Sequence, residues 1–339
     1  MKPAFVADLS ADQTITSFFL VCGKEIRSTR EGKPFLRLEL GDCTGTIEAR
    51  MWDNFEQTAG TIERDDFVKV QGRVEVYRNK TQLMVDRLRR AEPGEVDPAD
   101  YFPHTTQDVE QLYAQLREHV ASIGNTWLRR LLSSVVEDPE IVPKLKRAPA
   151  AKTMHHAYLG GLLEHIVSLC GLCRAVAAHY PETDTDLLLA GAVLHDIGKI
   201  NELSYERSIN YTTEGHLLGH IILELELTAR KMDAIEGFPR ELKRLVQHLL
   251  ISHHGQYEFG SPKLPLFREA VMLHYLDDLD SKMGAMRAVL ASDRGEGEWT
   301  GWSAALDRRL LRVEQYRQVQ AEGKEVPAQL SFDPRQEED

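Results

Sequence analysis

The stretch Leu187-Leu188-Leu189-Ala190-Gly191-Ala192-Val193-Leu194-His195-Asp196-Ile197-Gly198-Lys199 runs from eight apolar or small residues directly into an adjacent histidine and aspartate. No polar face interrupts the apolar run, which predicts a helix that is buried on every side. We expect Gly198 to end this helix, because glycine tolerates the left-handed conformation found at helix C-termini. An imidazole and a carboxylate at the end of a buried helix are costly unless something satisfies them. A bound metal cation would do so, and a histidine–aspartate hydrogen bond that orients the helix is the alternative.

Further histidines and one aspartate lie on the same helical background. In chain order the candidate metal ligands are His165, His195, Asp196, His220, His253, His254 and Asp277. A helical bundle can direct one inward residue from each helix to a common point. Imidazole and carboxylate together suit divalent Mn, Fe, Co, Ni or Zn. Because seven ligands exceed what one ion with an open position needs, the set predicts two ions that could clamp a phosphodiester.

The order of these residues resembles that of the HD-domain superfamily of metal-dependent phosphohydrolases. It is more similar still to the YhaM-type 3′–5′ exoribonuclease family, in which an OB-fold is joined to an HD domain. The segments that carry the resemblance are Met154–His165, His195–Lys199, Gly219-His220, Ser252–Gly255 and His274–Asp277. The resemblance implies that Asp196 bridges two divalent ions, with manganese the first expectation and Fe, Co, Ni, Zn or Mg as alternatives. One ion would be held by His165, His195, Asp196 and Asp277, and the other by Asp196, His220, His253 and His254.

Lys199 follows the His-Asp pair by three residues and has two interpretations. It could hold a phosphate oxygen and stabilise charge in the transition state, or it could be a cation at a helix C-terminus. The resemblance over His195–Lys199 favours the phosphate role, which makes Lys199 and Asp196 the candidate catalytic residues. His216 lies four residues before His220 and stays open as a ligand, as do Asp278 and Asp280 beside Asp277. His155 and His156 either line the substrate cleft or are structural.

A period of two between Thr16 and about Arg90 predicts five short strands with a brief helical insert, which suits a small closed barrel of OB type. The polar phase of the second and third strands contains aromatic and basic residues that could stack on bases and neutralise phosphate. Covering one end of the barrel or packing on the second domain is the alternative for the aromatic pair. The candidate nucleic-acid-binding residues are Phe35, Arg37, Arg50 and Trp52 on this face, with Arg78 and Lys80 in a basic hairpin.

Periodicity, composition and the resemblance together predict four segments within a multidomain fold. They are an OB-fold nucleic-acid-binding domain (1–92), a linker rich in Pro, Gly and acid (93–106), an all-α HD phosphohydrolase bundle (107–315) and a polar tail expected to be disordered (316–339). The net charge of −12 is uneven, because residues 1–90 hold 15 Lys and Arg against 14 Asp and Glu, whereas the remainder holds 26 against 39. An acidic domain suits cation binding, although solubility explains acidity equally well.

The sequence shows no signal peptide and no apolar run of membrane-spanning length, so we expect a cytoplasmic protein with no membrane partner. The leading interpretation is a metal-dependent 3′–5′ exoribonuclease that hydrolyses single-stranded RNA, with single-stranded DNA as a further substrate. Its polarity rests on the resemblance alone. A phosphohydrolase of small nucleotides is the second interpretation, but it needs no strand-binding barrel. A nucleic-acid-binding regulator with a vestigial HD site is the third, and the intact ligand set argues against it. A homo-oligomer stays open.

Overall fold

The structure is a computed structural model of the 339-residue chain. It describes residues 2–29, 31–77, 80–92, 94–152, 158–205, 209–293, 295 and 297–321. Three residues singled out from the sequence, Arg78, His155 and His156, lie outside these ranges. The chain divides into two compact units, Met1–Ser281 and Lys282–Asp339. The barrel and the seven candidate ligands all fall in the first unit.

Alternating apolar residues build a closed barrel at the start of the chain. Its strands are β1 (Thr14–Ser28), β2 (Pro34–Asp42), β3 (Gly45–Met51), β4 (Phe67–Tyr77) and β5 (Lys80–Arg90), in the order β1-β2-β3-β5-β4. Neighbouring strands are antiparallel except β3 and β5, which are parallel. A short helix, α1 (Phe55–Ala59), precedes β4 and buries Phe55 in the barrel core. The predicted OB-type barrel with a helical insert is confirmed.

Helices make up most of the rest of the first unit. They are α2 (Val109–Ala121), α3 (Thr126–Val136), α4 (Val142–Leu145), α5 (Gly161–His179), α6 (Thr185–Leu194), α7 (Lys199–Glu202), α8 (Thr213–Asp233), α9 (Arg240–Ser252) and α10 (Arg268–Ser292). Two short paired strands, β6 (Leu203–Ser204) and β7 (Asn210–Tyr211), lie between α7 and α8. Residues Leu187–Leu194 of α6 are all buried, so the prediction of a helix buried on every side is confirmed. A barrel followed by a helical bundle is the fold class that the sequence predicted.

Gly198 does not end α6, and the prediction that it would do so is wrong. The helix ends at Leu194, residues 195–198 form a turn, and Gly198 has ordinary right-handed angles (φ −62°, ψ −24°). Glycine is needed there for a different reason. A Cβ at this position would lie 2.2 Å from the carbonyl oxygen of His220 and 2.8 Å from the backbone nitrogen of Glu224. The turn after α6 therefore packs directly on the backbone of α8, which is kinked at Gly219 (φ 72°).

Replacing Gly198 by alanine is expected to separate these two backbones. Overpacking of this kind costs about 1–3 kcal/mol, so Gly198→Ala should lower the melting temperature and move His195 and Asp196 away from His220. Gly171 of α5 is the matched control, because nothing lies within 4 Å of a Cβ placed there. Gly171→Ala should stabilise the helix by about 0.5–1 kcal/mol. Thermal unfolding of both variants checks the prediction, and an equally stable Gly198→Ala variant would contradict it.

The segment predicted as a linker packs between the barrel and the helices. Tyr101 and Phe102 are buried in a small apolar cluster with Leu20 of β1 and Leu159, which precedes α5. The backbone N–H of Thr105 also donates to the carbonyl of Leu159 at 2.9 Å. These contacts place two aromatic side chains of the connecting segment in a shared core. Within the first unit, the barrel is therefore attached to the helical part by packing as well as by the chain.

Two sequence expectations outside the site also change. We expected no apolar run of membrane-spanning length. The helix α5 is nevertheless long and apolar enough to cross a membrane by length and composition. Of the 18-residue stretch of α5 that meets this criterion, 56% is buried inside the protein. A final helix, α11 (Val313–Ala321), extends beyond residue 315 into the segment expected to be disordered. That expectation is therefore wrong for residues 316–321, since their backbone hydrogen-bonds as a helix. Residues 322–339 lie outside the described ranges.

Candidate metal centre

Five imidazoles in the helical part share one arrangement of their ring nitrogens. Each Nδ1 contacts an oxygen on the far side of the ring from the other imidazoles. The partners are Asp280 Oδ2 for His165 (2.8 Å), Ala192 O for His195 (3.1 Å), Glu202 Oε1 for His220 (3.1 Å), Leu250 O for His253 (2.7 Å) and Phe259 O for His254 (2.7 Å). Carbonyl and carboxylate oxygens accept, so Nδ1 donates and Nε2 is the ring nitrogen that is left for a metal. This is the orientation that metal-binding histidines adopt.

The first cluster consists of His165 of α5, His195 directly after α6 and Asp277 of α10. Their nearest ligand atoms all lie within 4.8 Å of one another. Nε2 of His165 is 3.2 Å from Nε2 of His195 and 3.2 Å from Oδ1 of Asp277. Two imidazole nitrogens bound about 2.1 Å from one ion would lie roughly 3.0–3.4 Å apart. The spacing of the first cluster therefore fits a shared cation.

The second cluster consists of His220, His253 and His254, which also place ligand atoms within 4.8 Å of one another. His220 follows the Gly219 kink of α8, and the other two follow the end of α9. Nε2 of His220 and Nε2 of His253 are buried and have no hydrogen-bond partner among the described residues. A buried polar atom without a partner costs about 1–3 kcal/mol. A cation between these nitrogens would remove that cost, so the second cluster also fits a metal.

Asp196 lies between the two clusters with one carboxylate oxygen towards each. Oδ2 is 3.5 Å from Nε2 of His195 and 3.9 Å from Nε2 of His165. Oδ1 is 3.6 Å from Nε2 of His220. The structure therefore brings all seven candidate ligands together, and it divides them in the way that the resemblance implied. Asp196 has the position expected of a bridging ligand.

Negative charge dominates the first cluster. Burial opposes protonation of His165, but hydrogen bonds to Asp277 and Asp280 raise its pKa to about 10. Burial also opposes ionisation of Asp196 and Asp277, but nearby basic side chains hold the pKa of both carboxyls well below the usual range. The carboxylates are therefore charged, and the surroundings of His165 favour a positive charge beside its Nε2. A divalent cation would supply that charge in place of a proton.

In the second cluster, unlike the first, the surroundings disfavour protonation of two of the imidazoles. Burial, followed by the neighbouring imidazoles, holds the pKa of His253 well below its usual value and lowers that of His254. These rings are therefore neutral at physiological pH and keep their lone pairs. Metal ligation requires a neutral imidazole, so His253 and His254 can bind an ion without losing protons.

Lys199 begins α7, so the alternative of a cation at the C-terminus of the buried helix does not describe it. Its ammonium is 2.6 Å from Oδ2 of Asp196. Burial disfavours the charged form, but Asp196 outweighs it and raises the pKa of Lys199. Lys199 also lines a cavity of about 230 Å³ at the site. Other residues that line it include Asp196, His254, Phe259, Asp277 and Ser281.

The sequence did not identify Glu202 and Glu224, and it offered Asp280 only as an alternative ligand. Asp280 instead accepts hydrogen bonds from His165 and from the Ser168 hydroxyl (2.6 Å). Glu202 accepts from both the Nδ1 and the backbone N–H of His220 (3.1 and 2.9 Å). Glu224 is fully buried 3.7 Å from Nδ1 of His253, and burial holds the pKa of its carboxyl well above the usual value. Spacing along α10 could have suggested Asp280, but Glu202 and Glu224 carry no sequence signal.

Glu202→Ala and Asp280→Ala are expected to weaken the two clusters separately. Each substitution removes the acceptor that orients one Nε2, and loss of such a partner typically reduces metal affinity about 10- to 100-fold. Glu202→Ala should weaken the site that contains His220, whereas Asp280→Ala should weaken the site that contains His165. Calorimetric titration with Mn²⁺ distinguishes the two binding steps, and each variant is the control for the other. Equal loss in both steps from either variant would contradict the division.

Two alternative ligands are not part of either cluster. His216 is exposed, and its ring centroid is 5.1 Å from that of Tyr211. Asp278 lines the cavity but contributes no atom to the two clusters. The turn of helix between positions 216 and 220 is interrupted by the Gly219 kink, so the spacing of four residues does not place both imidazoles on one face.

The proposed strand-binding face of the barrel is only partly available. Phe35 is buried, with 8% of its surface exposed, because it stacks on Trp52 at 4.5 Å between ring centroids. Glu48 pairs with both arginines, at 2.8 Å from Arg37 and 2.6 Å from Arg50. Phe35 does not belong to the apolar core of the barrel, but Trp52 covers its ring and leaves little surface on which a base could stack.

The other residues of this face remain at the surface. Arg37, Arg50 and Trp52 are half-buried, and Lys80 is exposed at the start of β5. The sequence could have predicted the pairing of Glu48 with Arg50, because both residues belong to the outward phase of β3. A strand that binds here would compete with this carboxylate for the guanidinium groups.

Comparison with known proteins agrees with this architecture. A family model described as an OB-fold nucleic acid binding domain matches residues 20–91, and the HD domain model matches residues 162–282. The chain is similar to the second OB-fold domain of replication protein A from Methanococcus maripaludis (20% identity, 27% of this chain, 98% of that chain, TM-score 0.23). It is also similar to a single-stranded DNA binding protein from Thermus aquaticus (22% identity, 25% of this chain, 42% of that chain, TM-score 0.22). By the two family models, the chain joins an OB-fold nucleic acid binding domain to an HD domain.

Proposed function

We propose that the protein is a metal-dependent 3′–5′ exoribonuclease that hydrolyses the terminal phosphodiester of single-stranded RNA. One observation carries the hydrolytic part of the proposal. Five imidazoles are fixed through Nδ1 so that their Nε2 atoms converge on two clusters with Asp196 between them. Such a set has no use as a purely structural device, because it leaves Nε2 of His220 and of His253 buried without a partner among the described residues. The resemblance to YhaM-type proteins supports the polarity and the RNA substrate.

The chain's own residues divide the work of the proposed reaction. The ions, held by the two clusters and Asp196, would polarise phosphate oxygens and make water more acidic. Lys199 lines the cavity and is suited to hold a non-bridging phosphate oxygen as negative charge develops. Asp280 and Glu202 keep the imidazoles of His165 and His220 in the orientation that ligation needs. The barrel would hold the part of the strand that precedes the cleaved 3′ end.

Hydrolysis of a small nucleotide is the second candidate, and one observation favours it. The two arginines of the barrel face are already paired with Glu48. A barrel whose cations are already neutralised would bind a polyanion less strongly. The packed connection through Tyr101 and Phe102 favours the strand-cutting proposal instead, because it gives a strand-binding module a fixed place beside the helical part.

Incubation with labelled oligoribonucleotides tests the proposal. With Mn²⁺ present, a 5′-labelled strand should give a ladder that shortens one nucleotide at a time, and a 3′-labelled strand should release labelled mononucleotide at once. A chelator should stop both reactions. Fragments of random length would indicate an endonuclease. Hydrolysis of mononucleotides or cyclic nucleotides without any strand shortening would support the second candidate.

Trp52→Ala is expected to weaken strand binding by the barrel. If the free face of this indole stacks on a base, its loss should cost about 1–3 kcal/mol of binding free energy. Trp302→Ala is the control, because that side chain is 63% exposed and belongs to the other unit. Fluorescence anisotropy of a labelled oligonucleotide, measured in the presence of chelator, checks the effect. Unchanged affinity in Trp52→Ala would show that the Phe35–Trp52 pair only covers the barrel.

A further inference from the structure

Phe259 presents a large apolar ring at the mouth of the site cavity. It belongs to a single turn, Tyr257–Phe259, between α9 and α10. The side chain lines the cavity together with Asp196 and Lys199, and yet 58% of its surface is exposed. Isolated exposed apolar residues are common on proteins. This ring is attached to a rigid turn beside a small cavity, and these two features point to a specific role for it.

Hydrogen bonds fix the backbone of this turn relative to the second cluster. The carbonyl of Phe259 accepts from Nδ1 of His254 at 2.7 Å, which is the bond that orients Nε2 of that imidazole. The turn is closed by bonds from Gly260 N to Tyr257 O (2.9 Å) and from Ser261 N to Gln256 O (3.2 Å). Gly260 has φ 82°, a conformation that glycine adopts without strain. The ring of Phe259 is therefore exposed but attached to a rigid turn.

The cavity is smaller than the sites that enclose a drug-sized molecule. Its volume is about 230 Å³, whereas sites that enclose a drug-sized molecule have about 300–1,000 Å³. Lys199 provides a cation inside it for a phosphate group. A base attached to that phosphate would then lie outside the cavity, at its rim. Among the described residues that line this cavity, Phe259 is the one with a phenyl, phenol or indole ring.

We propose that Phe259 is the platform on which the base of the strand's terminal nucleotide stacks while its phosphodiester occupies the metal centre. The inference rests on the proposed function and names how that site holds its substrate. Every base has a π-face, so stacking would position the terminal residue without selecting its sequence. The role matches an enzyme that must accept each new terminal nucleotide in turn. Phe259 would act as a binding residue that contacts substrate.

Deleting the ring and deleting the base should have the same effect if the two stack on each other. The experiment compares 5′-labelled oligoribonucleotides whose 3′-terminal residue carries either adenine or no base. Phe259→Ala should lower kcat/KM for cleavage of the adenine-terminated strand about 10- to 100-fold. It should change kcat/KM for the abasic strand by less than about twofold, because there the stacking partner is already absent. Phe259→Trp should restore cleavage of the adenine-terminated strand.

Tyr257→Ala is the matched control. Tyr257 belongs to the same turn and is 59% exposed, but it does not line the cavity. It should leave kcat/KM nearly unchanged for both strands. A second readout needs no catalysis: 2-aminopurine at the 3′ end, bound in the presence of chelator, should be quenched by stacking in the wild type and less quenched in Phe259→Ala.

The outcomes separate the inference from the proposed function. Equal rates for wild type and Phe259→Ala on the adenine-terminated strand overturn the inference and leave the nuclease intact. Equal losses on both strands also overturn it, because they indicate that Phe259 acts only through His254. Failure of the wild type to cleave any strand overturns the proposed function and the inference together. Loss confined to the base-bearing strand, with rescue by tryptophan, establishes the stacking role.

Discussion

Asp196→Ala should reduce the rate of strand cleavage on the order of 10⁴-fold or more. When catalytic residues act as a unit, removing one of them removes nearly all of the enzyme's activity. Its two carboxylate oxygens face different clusters, at 3.5 Å from His195 and 3.6 Å from His220. One substitution should therefore impair both ions. The affinity for the strand should change little. The residues proposed to hold the strand belong to the barrel, which has its own apolar core and is distant from Asp196 in the sequence. Parallel measurements of cleavage and of oligonucleotide binding check this expectation.

The control for Asp196→Ala must address folding. Removing one partner of a buried ion pair can cost about 3–5 kcal/mol, and Asp196 pairs with Lys199 at 2.6 Å. Asp196→Asn keeps the shape of the side chain and its ability to hydrogen-bond. If this variant melts near the wild-type temperature and is also inactive, the loss belongs to the metal centre. Substantial cleavage by a folded Asp196→Asn variant with unchanged metal content would contradict the bridging role.

Lys199→Ala should lower turnover about 10²–10³-fold, by comparison with the loss of one group that stabilises charge in a transition state. The expectation follows from the position of the ammonium in the cavity and from the ion pair that keeps it charged. Both ions should remain bound, because Lys199 is not a ligand. Single-turnover cleavage together with metal analysis checks both parts. A variant that loses metal would show that Lys199 acts only by holding Asp196 in place.

Lys144→Ala is the matched control for this variant. Its ammonium contacts Oδ1 of Asn201 in α7 at 2.9 Å, so it touches the same helix from outside the cavity. Turnover should be nearly unchanged. A similar loss in Lys144→Ala and Lys199→Ala would indicate that both lysines act through the placement of α7.

Secondary structure that follows from a short hydrophobic period could be predicted from the sequence. Alternation between Thr16 and about Arg90 predicted the five strands of a barrel, and β2 shows it clearly because Leu36, Leu38 and Leu40 are buried. The unbroken apolar run of α6 was sufficient to predict a buried helix that delivers His195 and Asp196. The candidate ligands could be named because their order along the chain resembles that of the HD-domain superfamily.

Contacts that depend on tertiary packing were not readable. Glu202 lies eighteen residues before His220, its partner, and an ordinary surface glutamate has the same local sequence. Gly198 was given a local role in ending a helix, whereas its small size is needed where two backbones meet. The covering of Phe35 by Trp52 depends on the side chains at the ends of two strands. In each case a residue distant in the sequence determines what the side chain does.

Metal stoichiometry tests the central claim most directly. Protein stripped with chelator and dialysed against Mn²⁺ should bind two ions per chain by elemental analysis. His165→Ala and His220→Ala should each bind one, because they belong to different clusters, and Asp196→Ala should weaken both sites. One ion in the wild type, or two ions retained in both histidine variants, would contradict the account of a two-metal centre.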